Sequence, residues 1–408
     1  MTRRILRVLA VIAALVALAL LGVVGYGFLD GHKVAQEQQA LDPFYTAPAS
    51  LPAPGTVLRT EPLGATVPGA TALRMLYVSE HPDGTRAVSG GMVFIPTADP
   101  PTGGRPIVAW AHGTLGLGPQ CAPSRRTDPL VDTANWLDAM IAKGWLVVAT
   151  DYVGVGTAGP TFYLVGQSEA RDVVNAVRAA RSIDRSAGSE VVVWGHSQGG
   201  HAALWTGELF AALAPDLRLR AVAAAAPAAE LPLIVSAQWD TPVGWGIGPD
   251  VAVSWPNVDP TLPLDAVVSP SGLAATDRLA RECVTAAGLE GLVRTHVGEH
   301  YFTTDPTTSA SWDALARTEV PKPLPGSLPV FVAQSTADTV VLAAPNATLQ
   351  DTWCAAGADL TMLWLGQVSH QDTAMVVGPT VVNWIADRFA GRPTQPTCEN
   401  PPPVQPAR

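Results

Sequence analysis

A glycine-flanked serine stands where a strand is predicted to turn into a helix. The run Gly-His-Ser-Gln-Gly at residues 195–199 follows an apolar stretch, residues 191–194, and precedes residues 200–205, which predict the opening of a helix. A turn of this kind holds the serine in a strained backbone conformation and presents its hydroxyl at the edge of the sheet. Because a Cβ on either glycine would collide with its neighbours, the pattern favours Ser197 as a nucleophile over a plain Gly/Ser turn.

The general base for such a serine is predicted to be His370. A triad on this scaffold runs in the order serine, acid, histidine. Of the eight histidines, those before residue 195 come too early, and His196 and His201 flank the serine too closely to reach back to its hydroxyl. His296 and His300 lie in the long segment that precedes any strand able to carry the acid. His370 remains, in a loop after the predicted strand 360–365, and the alternative is an ordinary surface histidine.

The acid that orients this histidine is predicted to be Asp338. It follows the predicted strand 330–333 and so lies in the loop where the scaffold needs a carboxylate that holds the imidazole in the right tautomer. Asp372 is the main rival, but it follows the histidine instead of preceding it. Asp338 could also act as a helix N-cap, and a carboxylate there could do both.

The run His-Gly-Thr at residues 112–114 follows another predicted strand, residues 106–111. A loop there can direct the backbone N–H of Thr114 at a developing oxyanion, beside the N–H of Gln198. We therefore predict Thr114 and Gln198 as the oxyanion donors. The side chain of His112 is expected to brace this loop.

Strands and helices alternate through most of the chain, which predicts a mostly parallel sheet covered by helices on both faces. The active groups of such sheets gather at the carboxyl ends of the strands. After Pro227 the alternation stops, and the intervening segment has scattered apolar residues, several tryptophans and many prolines. The tryptophans could line a substrate pocket or be ordinary packing. The predicted divisions are a signal peptide or anchor at 1–30, an extended Pro/Ala-rich lead-in at 31–55, an α/β core at 56–231 and 328–391, an inserted segment of helical pieces and loops at 232–327 and a Pro-rich tail at 392–408.

Composition excludes several classes of function. The 408 residues are 48% hydrophobic and 15% charged, so a sizeable core can form. A net charge of −10, with no extended Lys/Arg cluster beyond the N-terminal segment, argues against a nucleic-acid partner. No metal or organic cofactor is predicted, because the sequence has no HExxH motif, no P-loop and no dinucleotide fingerprint. No obligate protein partner is evident.

The N-terminus predicts export. Arg3, Arg4 and Arg7 precede a continuous apolar stretch, residues 8–29, which is long enough to span a bilayer. The positive flank predicts a cytoplasmic N-terminus and an exported remainder. The absence of a clear small-x-small cleavage site favours an anchor, with membrane association through residues 8–29, over a cleaved signal peptide. The beginning also resembles an incomplete twin-arginine signal.

The four cysteines agree with export. Cys121, Cys283, Cys354 and Cys398 form no zinc-type spacing. Outside the cytoplasm an even number indicates two disulfides, and four cysteines allow three pairings.

From about residue 42 to residue 391 the chain resembles the secretory lipase family, the lipase A type of α/β-hydrolase. The matching stretches are residues 42–45, 54–56, 108–116, 121–124, 149–157, 163–171, 194–204, 334–341 and the His370 loop. The resemblance implies Ser197, Asp338 and His370 as the triad and ester hydrolysis as the activity. It also implies the pairings Cys121–Cys283 and Cys354–Cys398, and a helical cap between the nucleophile and the acid.

These observations predict an exported serine lipase or carboxylesterase that acts on an acyl-ester or lipid substrate. A cell-envelope acyltransferase would use the same triad, and analysis of products formed with an added alcohol would distinguish it. A catalytically silent hydrolase-fold binding protein is the third alternative, which labelling of Ser197 by a fluorophosphonate would exclude.

Overall fold

A computed structural model describes residues 36–407 and contains a nine-stranded sheet. The strands are β1 Val57–Pro62, β2 Ala70–Glu80, β3 Arg86–Pro96, β4 Arg105–Ala111, β5 Leu146–Thr150, β6 Ala187–His196, β7 Arg218–Ala225, β8 Val330–Ser335 and β9 Leu360–Leu365. Their order across the sheet is β1-β2-β3-β5-β4-β6-β7-β8-β9.

The strands from β4 to β9 run parallel, and β1 to β3 add an antiparallel edge. β4 lies in the parallel part, with Val108 aligned to Val147 on one side and to Val192 on the other. These residues are fully buried, as expected for strands with helices on both faces. The predicted α/β class with a mostly parallel sheet is confirmed.

Two layers of helices cover the sheet. Because strand side chains alternate between faces, Val193 points into one core and Trp194 into the other. The helices of the first face are α3 Gly166–Ile183, α4 Gln198–Leu213 and α11 Ala343–Ala355; those of the second are α2 Leu137–Ala142 and α12 Thr373–Phe389. α2 begins only at Leu137, because the backbone of Trp136 is not helical and its ring packs 4.7 Å from the ring of Trp110.

Helices fill the chain between β7 and β8, and we call the segment from Leu231 to Thr318 the cap. Its own apolar core contains Trp245, Trp255 and Trp312, all fully buried. The predicted boundaries at 232 and 327 stay a prediction. The cap helices are α5 Leu231–Gln238, α6 Pro242–Ser254, α7 Leu264–Val267, α8 Pro270–Arg281, α9 Val284–His296 and α10 Ala310–Thr318.

The beginning of the described chain differs from the predicted extended lead-in. Residues 36–45 form a helix, α1, because the run Gln-Glu-Gln-Gln-Ala-Leu at 36–41 consists of good helix formers. Only the segment from residue 46 onwards is extended and rich in turns. The predicted targeting segment, including residues 8–29, lies outside the described residues. From residue 36 to residue 407, no helix combines the length and the apolar character that crossing a membrane requires.

Two disulfides cross-link the fold. Cys121, in the loop after β4, is bonded to Cys283 at the start of α9 in the cap. Cys354 in α11 is bonded to Cys398, and the neighbouring Thr397 donates its backbone N–H to the carbonyl of Leu360 in β9. The first bond therefore joins the cap to the sheet, and the second joins the C-terminal tail to it.

Candidate active site

Ser197 occupies the turn between β6 and α4 in a conformation that few residues adopt. Its φ of 58° and ψ of −118° lie outside the regions ordinarily allowed to a side chain with a Cβ. Its backbone N–H donates to the carbonyl of Ala225 at 2.9 Å, and its carbonyl accepts the N–H of His201 at 3.0 Å. The surrounding hydrogen bonds hold the strained residue in place, as is typical of functional turns.

The two flanking glycines leave the space that the sharp turn needs. A Cβ on Gly195 would overlap the carbonyl of Gly199, and a Cβ on Gly199 would overlap the carbonyl of Ala111 at the end of β4. Any larger residue would therefore force β6, α4 and β4 apart and displace Ser197.

The structure brings Ser197, His370 and Asp338 together at the carboxyl ends of β6, β8 and β9. His370 Nε2 lies 2.8 Å from Ser197 Oγ, and His370 Nδ1 lies 2.7 Å from Asp338 Oδ2. All three residues are at least 94% buried. Because the carboxylate accepts the Nδ1 proton, Nε2 is left free to accept the hydroxyl proton of the serine.

Asp338 is held rigidly by its own loop. Its Oδ1 accepts the backbone N–H groups of Val340 at 2.9 Å and Val341 at 3.0 Å, which leaves Oδ2 for the imidazole. The rival acid, Asp372, is exposed and accepts a hydrogen bond from Ser369 Oγ at 2.6 Å instead. The contact with His370 thus belongs to Asp338.

Thr114 and Gln198 lie on the two segments that flank the serine. Among the carbonyls of residues 36–407, none accepts the backbone N–H of either residue. Thr114 Oγ1 is fixed by the Tyr163 hydroxyl at 2.6 Å. The buried ring of His112 contacts its own loop, at 2.7 Å from the Gly113 carbonyl, and packs 4.6 Å from the ring of Tyr152. Two N–H donors beside a serine, neither of them bonded to a carbonyl of residues 36–407, suit the stabilisation of an oxyanion.

A buried ion pair that no sequence pattern indicates lies under the turn. Glu169 in α3 accepts from the Gln198 side chain at 3.0 Å and from His201 Nδ1 at 2.6 Å. His201 Nε2 lies 2.7 Å from the carbonyl of Glu319, so both ring nitrogens face acceptors. Although burial alone would lower it, the charge of Glu169 raises the pKa of His201. An imidazolium there satisfies both acceptors and supports the residue after the serine.

The residue before the serine, His196, faces the loop that carries His370. Its Nε2 lies 2.9 Å from the carbonyl oxygen of His370, and the two rings are 4.8 Å apart with a tilt of 39°. The position of His196 in the sequence gives no signal for this contact, because the contact joins residues that are far apart in the chain.

An apolar cavity opens beside Ser197 and extends under the cap. Its lining includes side chains from α5, α6 and α10 and from the loop before α3, among them Leu164, Leu231, Ile247, Val251 and Trp312. Trp239 and Trp255 also line it, so some cap tryptophans contribute to a pocket while Trp245 packs elsewhere. In the part of the chain described, no cluster of His, Cys, Asp and Glu has the arrangement of a metal site.

The fold and the position of the serine turn define an α/β-hydrolase. Candida antarctica lipase A has this fold with a TM-score of 0.70, at 19% identity over 89% of each chain. The rice cell wall degrading esterase LipA from Xanthomonas oryzae has it with a TM-score of 0.67, at 20% identity, over 84% of this chain and 100% of that one.

The chain belongs to the secretory lipase family, whose sequence model matches residues 132–397. Lipase 6 of Candida albicans is 25% identical, over 88% of this chain and 83% of its own. A Mycobacterium tuberculosis protein named "Probable inactive lipase" is also 25% identical, over 88% of this chain and 86% of its own. The match of the family model to more than half of the chain establishes the family.

Proposed function

We propose that this protein is an exported serine carboxylic-ester hydrolase that cleaves acyl esters through an acyl-enzyme on Ser197. The observation that carries the proposal is the continuous hydrogen-bonded chain from Ser197 Oγ through His370 to Asp338, beside an apolar cavity. Side chains in this order are able to turn a weak alcohol into a nucleophile. Membership of the secretory lipase family makes an ester the natural substrate class.

In the proposed mechanism, Ser197 Oγ attacks the ester carbonyl carbon while His370 Nε2 takes the hydroxyl proton. Asp338 stabilises the imidazolium that forms, and the N–H groups of Thr114 and Gln198 stabilise the tetrahedral oxyanion. The imidazolium then protonates the leaving alcohol. A water molecule, deprotonated by His370, attacks the acyl-enzyme and releases the acid.

The apolar cavity would hold the acyl chain of the substrate. Because its lining is almost free of polar atoms, it offers nothing that would hold a sugar or a charged group and favours hydrocarbon. We therefore expect rates with p-nitrophenyl esters to rise with acyl length above acetate. A triglyceride emulsion used alongside would distinguish lipase from esterase action.

The deciding experiment compares the wild-type protein with Ser197→Ala. The variant should lose about 10⁶-fold in kcat on a p-nitrophenyl ester and should not react with a fluorophosphonate probe. Ser369→Ala is the matched control, since that hydroxyl bonds Asp372 and should leave labelling intact. Undiminished hydrolysis by Ser197→Ala, or an unlabelled and inactive wild type, would refute the proposal.

Export is supported by the two disulfides, since such bonds persist in oxidising compartments. We expect either that protease added to intact cells digests the catalytic domain or that the protein is found in the medium. Carbonate extraction of the membrane fraction then distinguishes the two alternatives. A protein anchored through residues 8–29 stays in the membrane, whereas a cleaved protein is released.

A further inference from the structure

Three segments of the active site meet on the side chain of His196. This residue ends β6 and directly precedes Ser197, and its Nε2 lies 2.9 Å from the carbonyl oxygen of His370. On its other side, a Cβ added to Gly113 would lie 3.1 Å from His196 Nδ1. The loop that carries Thr114 therefore passes against the same ring. His196 contacts the turn of the nucleophile, the loop of the base and the loop of the oxyanion donor.

We propose that His196 is a positioning residue that fixes the distance between His370 and Ser197 through the N–H that it donates to the His370 carbonyl. The inference rests on the proposed function, in which that distance is the path of the proton. Glu169 and Asp338 support the nucleophile and the base separately, whereas His196 joins the two.

The chemistry of the contact requires a neutral ring with its proton on Nε2. A carbonyl oxygen can only accept, so Nε2 must donate. Burial, with the charge of His370 second, lowers the pKa of His196 to about 3, so the ring is neutral at ordinary pH. A neutral ring also suits its neighbour, because His370 becomes a cation during the proposed reaction and a second cation 4.8 Å away would oppose that step.

The other restraints on His370 do not set its distance from the serine. Asp338 fixes the rotation of the imidazole through Nδ1, and Thr373 donates to the same carbonyl of His370 at 3.2 Å from within the following turn. The bond from His196 joins the backbone of the His370 loop to the residue next to the nucleophile, and it does so without using the reacting atoms. Reacting groups displaced by about 1 Å can lose about 10²-fold in rate.

Two substitutions in the full-length protein separate the hydrogen bond from packing. His196→Phe keeps a flat ring but has no donor, and we expect kcat on a p-nitrophenyl ester to fall about 10- to 100-fold with KM nearly unchanged. His196→Gln replaces the ring but offers an amide N–H that can reach the same carbonyl, and activity should stay within about threefold of the wild type. His300→Phe is the control, because His300 makes a similar contact, with the carbonyl of Asp240 at 2.8 Å, away from the site.

Crystal structures of both variants give a readout that does not depend on turnover. In His196→Phe the separation of His370 Nε2 from Ser197 Oγ should exceed hydrogen-bonding distance, and in His196→Gln it should stay near 2.8 Å. Wild-type activity and geometry in His196→Phe would overturn the inference. So would equal losses in both variants accompanied by equal losses in melting temperature, which would mark a packing role. An inactive wild type with the expected geometries would instead refute only the proposed function.

Discussion

The strand ends and the cap are filled by different kinds of contact. At the strand ends, Ser197, His370 and Asp338 are joined by hydrogen bonds of 2.7 and 2.8 Å, and the buried charge of Glu169 is paired. Under the cap, the wall of the cavity is almost entirely hydrocarbon. Hydrogen bonds are directional and fail with small displacements, whereas apolar packing responds to volume.

This contrast assigns different parts of the proposed activity to different parts of the chain. A change of a single polar atom at the strand ends should lower the rate for every ester. A change of volume in the cap should alter which ester is accepted and leave the reaction itself intact. Substitutions in either region can therefore test this division of roles.

After removal of the nucleophile itself, the largest effect is expected from Asp338→Asn. The amide oxygen can still accept from Val340 and Val341, but the amide nitrogen cannot accept the Nδ1 proton of His370. The imidazole then loses its required tautomer, and kcat should fall roughly 10⁴-fold with KM little changed. Steady-state kinetics on a p-nitrophenyl ester measure this.

Asp372→Asn is the matched control for that substitution, because its carboxylate lies two residues past His370 but bonds Ser369. It should retain nearly full activity. A large loss in Asp372→Asn together with activity in Asp338→Asn would mean that the acid is wrongly assigned.

A smaller and selective effect is expected from Ile247→Trp in α6. Ile247 is half-buried and lines the cavity, so the larger ring would shorten the space open to an acyl chain. We expect kcat/KM for long-chain p-nitrophenyl esters to fall about 10- to 100-fold and the value for acetate to stay the same. Leu292→Trp, at a position 57% exposed on α9, should change neither. A uniform loss across all chain lengths would contradict the separation of the two regions.

The sequence carries more information about the strand ends than about the cap, for a physical reason. Buried strands appear as short apolar runs, and the residues after them must meet at one edge of a parallel sheet. Ser197, Asp338 and His370 each follow such a strand, and His370 lies within hydrogen-bonding distance of both of the others. Their catalytic roles stay predictions until the substitutions are made.

The contacts of His196, Glu169 and His201 could not be read in the same way. Each joins segments that are distant in the chain, and a single histidine or glutamate has no periodicity that reveals its partner. The cap cavity was equally hidden, because its wall is assembled from short helices whose orientation depends on tertiary packing. Helix α1 is a different case, because a short run of good helix formers at 36–41 is followed directly by a proline-rich stretch that is typical of extended chain.

The disulfide between Cys121 and Cys283 links the two regions, so its removal tests whether they are stable separately. The double substitution to serine should lower the free energy of unfolding by about 2–5 kcal/mol, because the bond closes a long loop in the unfolded chain. Urea unfolding measures the change. The same double substitution of Cys354 and Cys398 is the control, because that bond joins α11 to the C-terminal tail and does not involve the cap. A second unfolding transition only in the first variant would show that the bond couples the cap to the sheet.

The smallest effect, on the pH dependence of stability, comes from buried acids near the strand ends. Burial, partly offset by the hydroxyl of Ser79, raises the pKa of Asp172 from 3.8 to about 7. Between these two values the folded protein keeps a proton that the unfolded chain releases, so Asp172 makes stability fall as pH rises through that window. Asp172→Asn cannot titrate and should give a shallower decline in urea-derived stability from pH 4 to 7. Burial raises the pKa of Asp151 to about 6, and the hydrogen bonds from Ser124 oppose this rise. Asp151→Asn should therefore flatten the decline in stability only up to about pH 6. An unchanged slope in Asp172→Asn would show that this carboxylate is charged in the folded protein, and that the strand ends hold their polar groups in a less enclosed setting than their burial indicates.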